Sequence, residues 1–391
     1  MKYIDQIELK GKKVFLRVDF NVPIKEGNVT SDTRVRAHIQ TINYALEKKA
    51  RLIIASHLGR PKGKRVEEMS LKPVVKMLSG LLQQEVVFVD ESVGGKVEQA
   101  ISKMKDGDIV LLENLRFNPG EDKNDKDFAR QLASLCDIYI NDAFAVAHRA
   151  AASNSAITDY VKTCAAGFLL KNEIEYFQKA LVNPARPVAA IIGGAKVSDK
   201  IGVLENLIDK VDKLLIGGAM AFTFLKARGL EVGKSLCEEE ILDTARKIMQ
   251  KAKDKNVQFL LPADVACAKE AAADAAVKIC SVKEIPAEQM GLDIGPATIT
   301  LFSDALKGVK TVIWNGPLGM FELAPFSKGT FALAEVVGNS NAISIIGGGD
   351  TETAIKKAGQ HTKMSYISTG GGAFLELLEG KTLPGIAALN K

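Results

Sequence analysis

The stretch FLLKNEIEYFQKALVNPARP, residues 168–187, divides the sequence into two halves of similar construction. Its apolar residues recur at the spacing of one helical face, at Leu170, Ile174, Phe177 and Leu181. The pair Asn183-Pro184 then ends the pattern. We interpret the stretch as a helix that links two domains.

Short, β-rich apolar segments alternate with helical patterns on both sides of this helix. Before it they cover residues 14–18, 52–56, 86–89, 109–113 and 138–141. After it they cover residues 188–192, 213–216, 257–261, 311–314, 342–346 and 365–368. Such alternation indicates βαβ units and a parallel sheet. The predicted fold class is α/β, with two Rossmann-like domains, each a parallel sheet flanked by helices, and a cleft between them.

Length and composition exclude several classes of protein. A chain of 391 residues with 47% hydrophobic and 25% charged residues is typical of a globular protein with more than one core. The five cysteines form no C-x-x-C pair, which favours a reducing compartment over a disulfide framework or zinc site. No segment approaches the roughly 20 apolar residues of a membrane span. The net charge of +5 lacks the basic stripe of a nucleic-acid binder, so we expect a cytoplasmic protein with neither membrane nor nucleic-acid partner.

Polar and basic residues follow the predicted strands of the first half. The residues in these positions are Asp19, Asn21, His57, Arg60, Arg116, Asn141, Asp142, His148 and Arg149. Ligands of parallel sheets bind outside the carboxyl ends of the strands, and guanidinium groups bind phosphate and carboxylate with paired hydrogen bonds. The pattern therefore predicts a crevice for a small, multiply anionic substrate. Each residue taken alone could instead be a solvated loop residue, and most of RPKGKR, residues 60–65, fits that reading.

Glycines follow the predicted strands of the second half, in IIGGAK, LIGGAM, WNGPLG, IIGGGDT and STGGGA. Glycine allows close backbone approach, and a helix N-terminus offers free N–H groups to phosphate, so a nucleotide is the expected ligand. Lys196 and Lys200 are predicted to share a face on the first turn of one helix, where a polyphosphate would offset their charge. Asp350 and Thr351 are predicted to open another helix, as caps, as ligands of Mg²⁺, or as both.

Several familiar motifs are absent. The segment GLEVGKS, residues 229–235, is one residue short of a P-loop and follows a helical pattern instead of a strand. The segment GGGDTE, residues 347–352, has Glu352 where a dinucleotide fingerprint needs a small residue. The four histidines include no H-E-x-x-H pair, and no G-x-S-x-G elbow occurs. Phosphoryl transfer between an anionic substrate and a Mg-nucleotide is the economical hypothesis.

The motifs RVDFNVP, SHLGRP, LLENLRF, NDAF with AHR, GGAKVSDK, GGAMAFTFLK, WNGPLGMFE, IIGGGDT and STGGGA resemble those of phosphoglycerate kinases, in the family's order and across nearly the whole chain. The resemblance implies reversible transfer between 1,3-bisphosphoglycerate and MgADP in glycolysis, by direct in-line transfer after hinge-bending closure. It also implies Mg²⁺ with ATP or ADP, and a monomer. Residues 1–170 with the tail 376–391 would bind 3-phosphoglycerate, and residues 171–375 the Mg-nucleotide.

The resemblance also implies site residues, motif by motif. Those for 3-phosphoglycerate are Asp19, Phe20, Asn21, Arg34, His57, Leu58, Gly59, Arg60, Arg116 and Arg149. Those for the nucleotide are Lys196, Lys200, Gly291, Asn315, Glu322, Gly348, Gly349, Asp350 and Thr351, with Asp350 on the metal. The catalytic group would comprise Arg34, Lys196, Gly371 and Gly372, and Gly370–Gly372 would lie near the transferred phosphoryl group.

One segment, NDAFAVAHRAAAS, departs from the family's pattern at Ala145, Val146 and Ala151, which leaves the conformation of that loop open. Two other functions are weighed against the kinase. One is a non-catalytic nucleotide sensor with the same fold, and the other is a nucleic-acid binder that uses RPKGKR.

Overall fold

The computed structural model describes the whole chain, Met1–Lys391, which forms two compact units. Unit 1 comprises Met1–Ile174 with Thr382–Lys391, and unit 2 comprises Glu175–Lys381. Residues 376–381, expected in the tail of the first domain, belong to unit 2 instead. The side chain of Asn206 donates a hydrogen bond to the carbonyl oxygen of Leu378 at 2.6 Å, which ties this segment to unit 2.

Unit 1 is built around a parallel sheet. Its strands are β1 (Lys13–Arg17), β2 (Ile24–Lys25), β3 (Asn28–Val29), β4 (Arg51–Ala55), β5 (Val87–Val89), β6 (Ile109–Leu112), β7 (Ile138–Asn141) and β8 (Thr163–Ala166). β2 and β3 form an antiparallel hairpin, and the other six form a parallel sheet in the order β5-β6-β4-β1-β7-β8. β1 lies between β4 and β7, so residues after β1 meet residues after both neighbours.

Amphipathic helices cover this sheet. They are α1 (Thr33–Ala37), α2 (Ile39–Glu47), α3 (Lys72–Leu82), α4 (Gly95–Ser102), α5 (Lys126–Ser134) and α6 (Phe168–Phe177). The core packs apolar side chains of β1 and β4, such as Leu16 and Ile54, against helix residues such as Ile42 and Leu78. This core positions the carboxyl ends of the strands.

Unit 2 contains two sheets. Its strands are β9 (Val188–Ile192), β10 (Lys213–Ile216), β11 (Gln258–Leu260), β12 (Asp264–Ala268), β13 (Lys278–Ser281), β14 (Met290–Ile294), β15 (Thr311–Asn315), β16 (Ile343–Gly347) and β17 (Tyr366–Ile367). The parallel sheet has the order β11-β10-β9-β15-β16-β17, and β13-β12-β14 form an antiparallel sheet. The strand order reverses between β9 and β15, which is where ligand crevices open in such sheets.

The helices of unit 2 are α7 (Ile201–Ile208), α8 (Met220–Ala227), α9 (Leu242–Asp254), α10 (Pro296–Leu306), α11 (Lys328–Gly338), α12 (Gly349–Lys357) and α13 (Gly372–Leu378). A last helix, α14 (Pro384–Ala387), packs on unit 1, where the backbone N–H of Gly385 donates to the carbonyl of Ala147 at 2.9 Å. None of the helices combines the length and apolar content that crossing a membrane requires.

The α/β class and the two parallel sheets are confirmed, and each predicted strand segment forms a strand. The predicted linking helix is also present as α6, which a further turn at Gln178–Val182 extends to Asn183. The sequence analysis did not predict β8, the hairpin or the antiparallel sheet. These strands are short or carry polar residues, so they lack a continuous apolar pattern.

Candidate functional site

Asp19 is the centre of a cluster at the carboxyl end of β1. Its carboxylate accepts a hydrogen bond from the backbone N–H of Asn21 at 3.1 Å and forms a close ion pair with Arg34. Its backbone N–H donates to Nε2 of His38 at 3.0 Å. Burial opposes the charged form of Asp19, but the neighbouring His57 and Arg34 outweigh it and lower the pKa of this carboxyl group. Asp19 therefore stays ionised and holds the half-buried Arg34 in place.

His57, directly after β4, lies beside Asp19. Its Nδ1 is 3.7 Å from the Asp19 carboxylate, and the side chain is 3% exposed. Burial lowers the pKa of His57 well below its usual value, and the cations Arg17 and Arg116 lower it further, against the opposing effect of Asp19. His57 is therefore a neutral imidazole at pH 7.

A second chain of contacts connects three other predicted residues of unit 1. The side chain of Asn21 accepts a hydrogen bond from the backbone N–H of Gly59 at 2.9 Å, and the carbonyl of Gly59 accepts one from Arg116 at 2.8 Å. Arg116 also pairs with Asp122 at 3.1 Å. Gly59 has a φ of +61°, a conformation that favours glycine. The structure thus links Asn21, Gly59 and Arg116 directly.

The other predicted residues of unit 1 are arranged differently. The side chains of Phe20 and Leu58 lie in the hydrophobic core, so only their backbone atoms are available to a ligand. Arg60 is exposed and makes no ion pair within the protein. Arg149 is also exposed, and its Nε lies 3.2 Å from Nε2 of His148. The structure records no contact of these two arginines with the Asp19 cluster.

The crevice of unit 2 opens between β9 and β15. Asn315, at the end of β15, accepts a hydrogen bond from Lys200 through its side chain and donates one to the carbonyl of Gly347 at 2.8 Å. Its backbone carbonyl accepts from the N–H of Gly193 at 2.9 Å. Burial lowers the pKa of Lys200, against nearby carboxylates that include Asp350. Lys200 is therefore fixed in position at the switch point.

Two predictions about helix starts in unit 2 are wrong. Lys196 precedes the helix that it was expected to share with Lys200, because Ser198–Lys200 forms a 3-10 turn and α7 begins only at Ile201. Asp350 and Thr351 lie in the first turn of α12, as predicted, but they do not cap it, because Gly348 occupies the N-cap position with a φ of +97°. The hydroxyl of Thr351 instead accepts a hydrogen bond from the backbone N–H of Gly316 at 2.7 Å.

Apart from Lys200, the charged groups of this crevice are exposed. Lys196, Asp350 and Glu322 are all exposed and form no ion pair or hydrogen bond through their side chains. Gly349 has open space where a side chain would begin. The carboxylate of Asp350, in the first turn of α12, is thus available to a cation.

The glycines predicted for the nucleotide and the phosphoryl group lie in two further places. Gly291 is on β14, where its N–H donates to Ser235 at 2.9 Å and a Cβ atom would overlap the ring of Phe222. Gly371, with a φ of +45°, caps the N-terminus of α13, which Gly372 begins. Gly370 donates to the hydroxyl of Ser368 at 3.1 Å.

The buried polar residues behind the cluster of unit 1 were not predicted from the sequence. Arg17, on β1, contacts Ser153, Glu121 and His57 although it is only 1% exposed. His38, between α1 and α2, bonds through Nδ1 to Asp142 at 2.9 Å and so supports Asp19 from behind. An arginine within an apolar strand was the one signal that could have revealed this network.

The loop with the unusual residues Ala145, Val146 and Ala151 is held by hydrogen bonds. The carbonyl of Val146 accepts from the Asn154 side chain at 2.8 Å and from the backbone N–H of Arg149 at 3.0 Å. The N–H of Ala151 donates to the same asparagine at 3.3 Å. Val146 and Ala151 are buried, so these apolar replacements pack inside the loop.

Comparisons with known proteins agree with these features. The family model described as phosphoglycerate kinase matches residues 4–381. A phosphoglycerate kinase of Geobacter sp. (strain M21) is 57% identical over 391 residues, which cover 100% of this chain and 98% of that protein. One of Geobacter metallireducens is 58% identical over 393 residues, which cover 100% of this chain and 99% of that protein.

Solved structures give the same result. The phosphoglycerate kinase of Coxiella burnetii superposes with a TM-score of 0.93 at 45% identity, covering 99% of this chain and 98% of that one. The phosphoglycerate kinase of Pyrococcus horikoshii OT3 superposes with a TM-score of 0.84 at 30% identity, covering 100% and 98%.

The chain has two α/β units, each with a parallel sheet, and one unit carries a cationic cluster while the other carries a glycine-rich switch point. A chain with these features belongs to the class of phosphotransferases. Within that class, the chain belongs to the phosphoglycerate kinase family.

Proposed function

We propose that the chain catalyses reversible phosphoryl transfer from the C1 acyl phosphate of 1,3-bisphosphoglycerate to MgADP, which gives 3-phosphoglycerate and MgATP in glycolysis. One observation carries the assignment of ligands. Within one chain of this family, a cationic cluster follows the central strand of one parallel sheet, and a glycine-rich crevice opens at the switch point of another. The first suits a small acid with a phosphate group, and the second suits the phosphates of a nucleotide.

Unit 1 binds 3-phosphoglycerate in this proposal. Arg34, Arg116, Arg60 and Arg149 supply positive charge to its carboxylate and phosphate. Asp19 holds Arg34, and the neutral His57 supplies a hydrogen-bond donor without a further charge. The ion pairs of Arg116 with Asp122 and of Arg34 with Asp19 fix part of this set before the substrate arrives, and preorganised donors lose less entropy on binding.

Unit 2 binds the nucleotide. Lys200 is fixed by Asn315 and holds phosphates, whereas Lys196 is exposed and can follow the transferred group. Gly348 and Gly349 allow close approach of the phosphates to the start of α12. Glu322 and Gly291 are assigned to the rest of the nucleotide because they lie in loops and strands of the same unit.

The donor set of unit 2 fits Mg²⁺. No group of three or more His, Cys, Asp or Glu side chains gathers anywhere in the protein, but Asp350 offers a free carboxylate beside the proposed phosphate site. One carboxylate together with substrate phosphates is a usual way for proteins to hold this ion. When bound, Mg²⁺ would neutralise charge on the nucleotide phosphates.

Catalysis by these residues requires no general base. The carboxylate of 3-phosphoglycerate is already ionised at pH 7, because ordinary carboxyl groups have a pKa near 4. The transferred group passes through a transition state with charge on its equatorial oxygens. Arg34 and Lys196 stabilise this charge, and we assign the backbone N–H groups of Gly371 and Gly372 at the start of α13 to the same group. These four residues form the proposed catalytic set.

In-line transfer requires reacting atoms about 3 to 3.5 Å apart, and the two ligand sets belong to different units. We therefore propose that the units close on binding both substrates, with bending at α6 and its flanks. Small-angle scattering should record compaction only when both substrates are present. An unchanged radius of gyration with both bound would contradict the proposed closure.

We also propose that the protein acts as a monomer in the cytoplasm and has no membrane or nucleic-acid partner. All five cysteines are free thiols, as in a reducing compartment. Within the basic segment RPKGKR, the charge of Arg65 is balanced locally, since Arg65 pairs with Glu67 at 2.8 Å and lies 3.7 Å from Glu113.

A coupled assay tests the reaction directly. The purified protein should consume ATP only when 3-phosphoglycerate and Mg²⁺ are both present, with omission of each as the control. Circular dichroism should establish that the same sample is folded. A folded protein that binds ATP without turnover would favour a nucleotide sensor and would overturn the proposal.

A further inference from the structure

Arg17 is a buried cation with no assigned role in the proposed reaction. Its Nε donates to the hydroxyl of Ser153 at 2.8 Å, and its Nη1 donates to the carbonyl of Val18. Glu121 completes the arrangement, since it accepts from the Ser153 hydroxyl at 2.6 Å and from the Ser153 N–H at 3.0 Å. The guanidinium is therefore locked in one orientation.

The remaining nitrogen of this guanidinium faces His57. Nη2 of Arg17 lies 3.4 Å from Nδ1 of His57, closer than the 3.7 Å between that nitrogen and the Asp19 carboxylate. A guanidinium group can only donate hydrogen bonds. For this contact to be a hydrogen bond, the nitrogen of His57 that faces Arg17 has to be the acceptor, which leaves the ring proton on Nε2. Nε2 has no hydrogen-bond partner within the protein.

Asp19, the other possible partner of Nδ1 of His57, already has partners of its own. The Asp19 carboxylate accepts from the backbone of Asn21 and pairs with Arg34, so its demand for a proton from His57 is reduced. Apart from His57, the nearest partner of Nη2 of Arg17 is the carboxylate of Glu121, 3.9 Å away. The geometry therefore favours Arg17 over Asp19 at Nδ1.

We propose that Arg17 is a positioning residue that holds His57 as the neutral tautomer with its proton on Nε2. His57 would then donate one directed hydrogen bond to the anionic substrate and would bring no charge that varies with pH. This inference deepens the proposed function and rests on His57 contacting the substrate. Arg17 itself, being buried behind His57, acts only through it.

The electrostatic surroundings of His57 support this role. Four charged groups face His57. They are Arg17 on β1, Asp19 just after β1, Arg34 on α1 and Arg116 in the turn after β6. Three of these four groups are cations, and burial acts in the same direction. Removing the charge of Arg17 should therefore raise the pKa of His57 toward its ordinary value of about 6.5.

Nitrogen-15 NMR of histidine side chains tests the inference without any substrate. The chain has only four histidines, and a His57→Gln variant identifies the resonance of His57. In the wild-type protein we expect His57 to stay neutral from pH 6 to 8, with a proton on Nε2 and a lone pair on Nδ1. A proton on Nδ1, or titration near pH 6.5, would overturn the proposal.

Variants separate positioning from a purely structural role. The double variant Arg17→Met with Glu121→Gln removes the charge without leaving a buried carboxylate unpaired. We expect His57 to titrate at higher pH in it, and KM for 3-phosphoglycerate to rise about tenfold with KM for ATP unchanged. Arg17→Lys keeps the charge and should keep His57 neutral. The control Arg51→Gln alters another strand arginine, one that lies 3.6 Å from Asp106, and should change neither value.

The outcomes remain distinguishable in each case. An unchanged His57 titration in the folded double variant would overturn the proposal. If the double variant does not fold, the tautomer in the wild-type protein and the Arg17→Lys titration decide the question. Absence of turnover in the wild-type protein would instead contradict the proposed function, and the NMR result would still stand on its own.

Discussion

The crevices of the two units are built from different materials. In unit 1 the crevice consists of side chains that hold each other, such as the ion pair of Asp19 with Arg34 and the hydrogen bond of Asn21 with Gly59. In unit 2 it consists mainly of backbone, with glycines at the ends of β9 and β16 and charged side chains left exposed. The first fixes its charges before a ligand arrives. The second provides space and N–H groups, and its charged side chains other than Lys200 remain free to move.

This difference implies different sensitivities to substitution. A crevice of interlocked side chains should lose affinity when one partner is removed, because the other is left buried and unpaired. A crevice of backbone should be insensitive to many side-chain changes but intolerant of an added Cβ atom.

The two lysines of unit 2 should separate catalysis from binding. Lys196→Ala removes a free cation proposed to act on the transferred group, and we expect kcat to fall about 100- to 1000-fold with little change in KM for ATP. Lys200→Ala removes a cation fixed by Asn315, and we expect mainly a higher KM for ATP. Steady-state kinetics with varied ATP measures both. Equal losses of kcat and ATP affinity in Lys196→Ala would contradict the division of roles.

An added methyl group at the switch point should disrupt unit 2. In Gly193→Ala the new Cβ atom would overlap the backbone carbonyls of Pro317 and Gly316, which cannot move as a flexible side chain can. We expect a loss of about 3 kcal/mol in the free energy of unfolding of unit 2. The single tryptophan, Trp314 on β15, reports unfolding of this unit by fluorescence. Gly80→Ala, where the added atom meets open space, should not destabilise the protein and serves as the control.

The buried carboxylates Asp293 and Asp19 should respond to pH in opposite directions. Burial raises the pKa of Asp293 to about 7, against hydrogen bonds from the N–H groups of Gly329 and Ile294. An acid with a raised folded-state pKa binds its proton more tightly in the folded state, so unit 2 should lose stability as pH rises. We expect a loss of about 2 kcal/mol between pH 5 and 7.

Urea unfolding followed by Trp314 fluorescence at pH 5, 6, 7 and 8 measures this slope. Asp293→Asn cannot titrate, so it should flatten the slope whatever its effect on absolute stability. Asp19 has a lowered pKa, so its contribution is present above pH 4 and is lost only as pH falls further. The same steep slope in Asp293→Asn would assign the pH response to another group.

The smallest effect should come from a single charge in unit 1. Asp19→Asn retains the shape of the side chain but removes the charge that holds Arg34. We expect KM for 3-phosphoglycerate to rise about tenfold, with KM for ATP unchanged, because the arginine is less well oriented. Kinetics with each substrate varied in turn measures the effect. A larger change in KM for ATP than in KM for 3-phosphoglycerate would contradict the assignment of Asp19 to the substrate crevice of unit 1.

Much of the fold could be predicted from the sequence because the strands of the parallel sheets are buried on both faces and read as continuous apolar segments. β8, with the sequence TCAA, and the antiparallel strand β13 are too short or too polar to give that signal. The linking helix was predictable because its apolar residues follow the helical period and a proline ends it.

The candidate site was predictable only in part. Residues after strands could be assigned to crevices by topology, but pairing between residues far apart in sequence could not. The bond between Arg17 and Ser153 joins residues separated by 136 positions. The predicted start of α7 was wrong because the 3-10 turn at Ser198–Lys200 has no distinct sequence pattern. The predicted cap of α12 was wrong because glycine, a weaker N-cap signal than aspartate, occupies the N-cap position.

Amide hydrogen exchange with each ligand alone shows whether each unit binds its own substrate with its own kind of crevice. We expect 3-phosphoglycerate to slow exchange in segments 19–21, 57–60 and 115–117 but not in unit 2. We expect MgATP to slow exchange in segments 193–200, 315–317 and 347–351 but not in unit 1. Protection of the same segments by both ligands, or of the opposite unit by either, would contradict it.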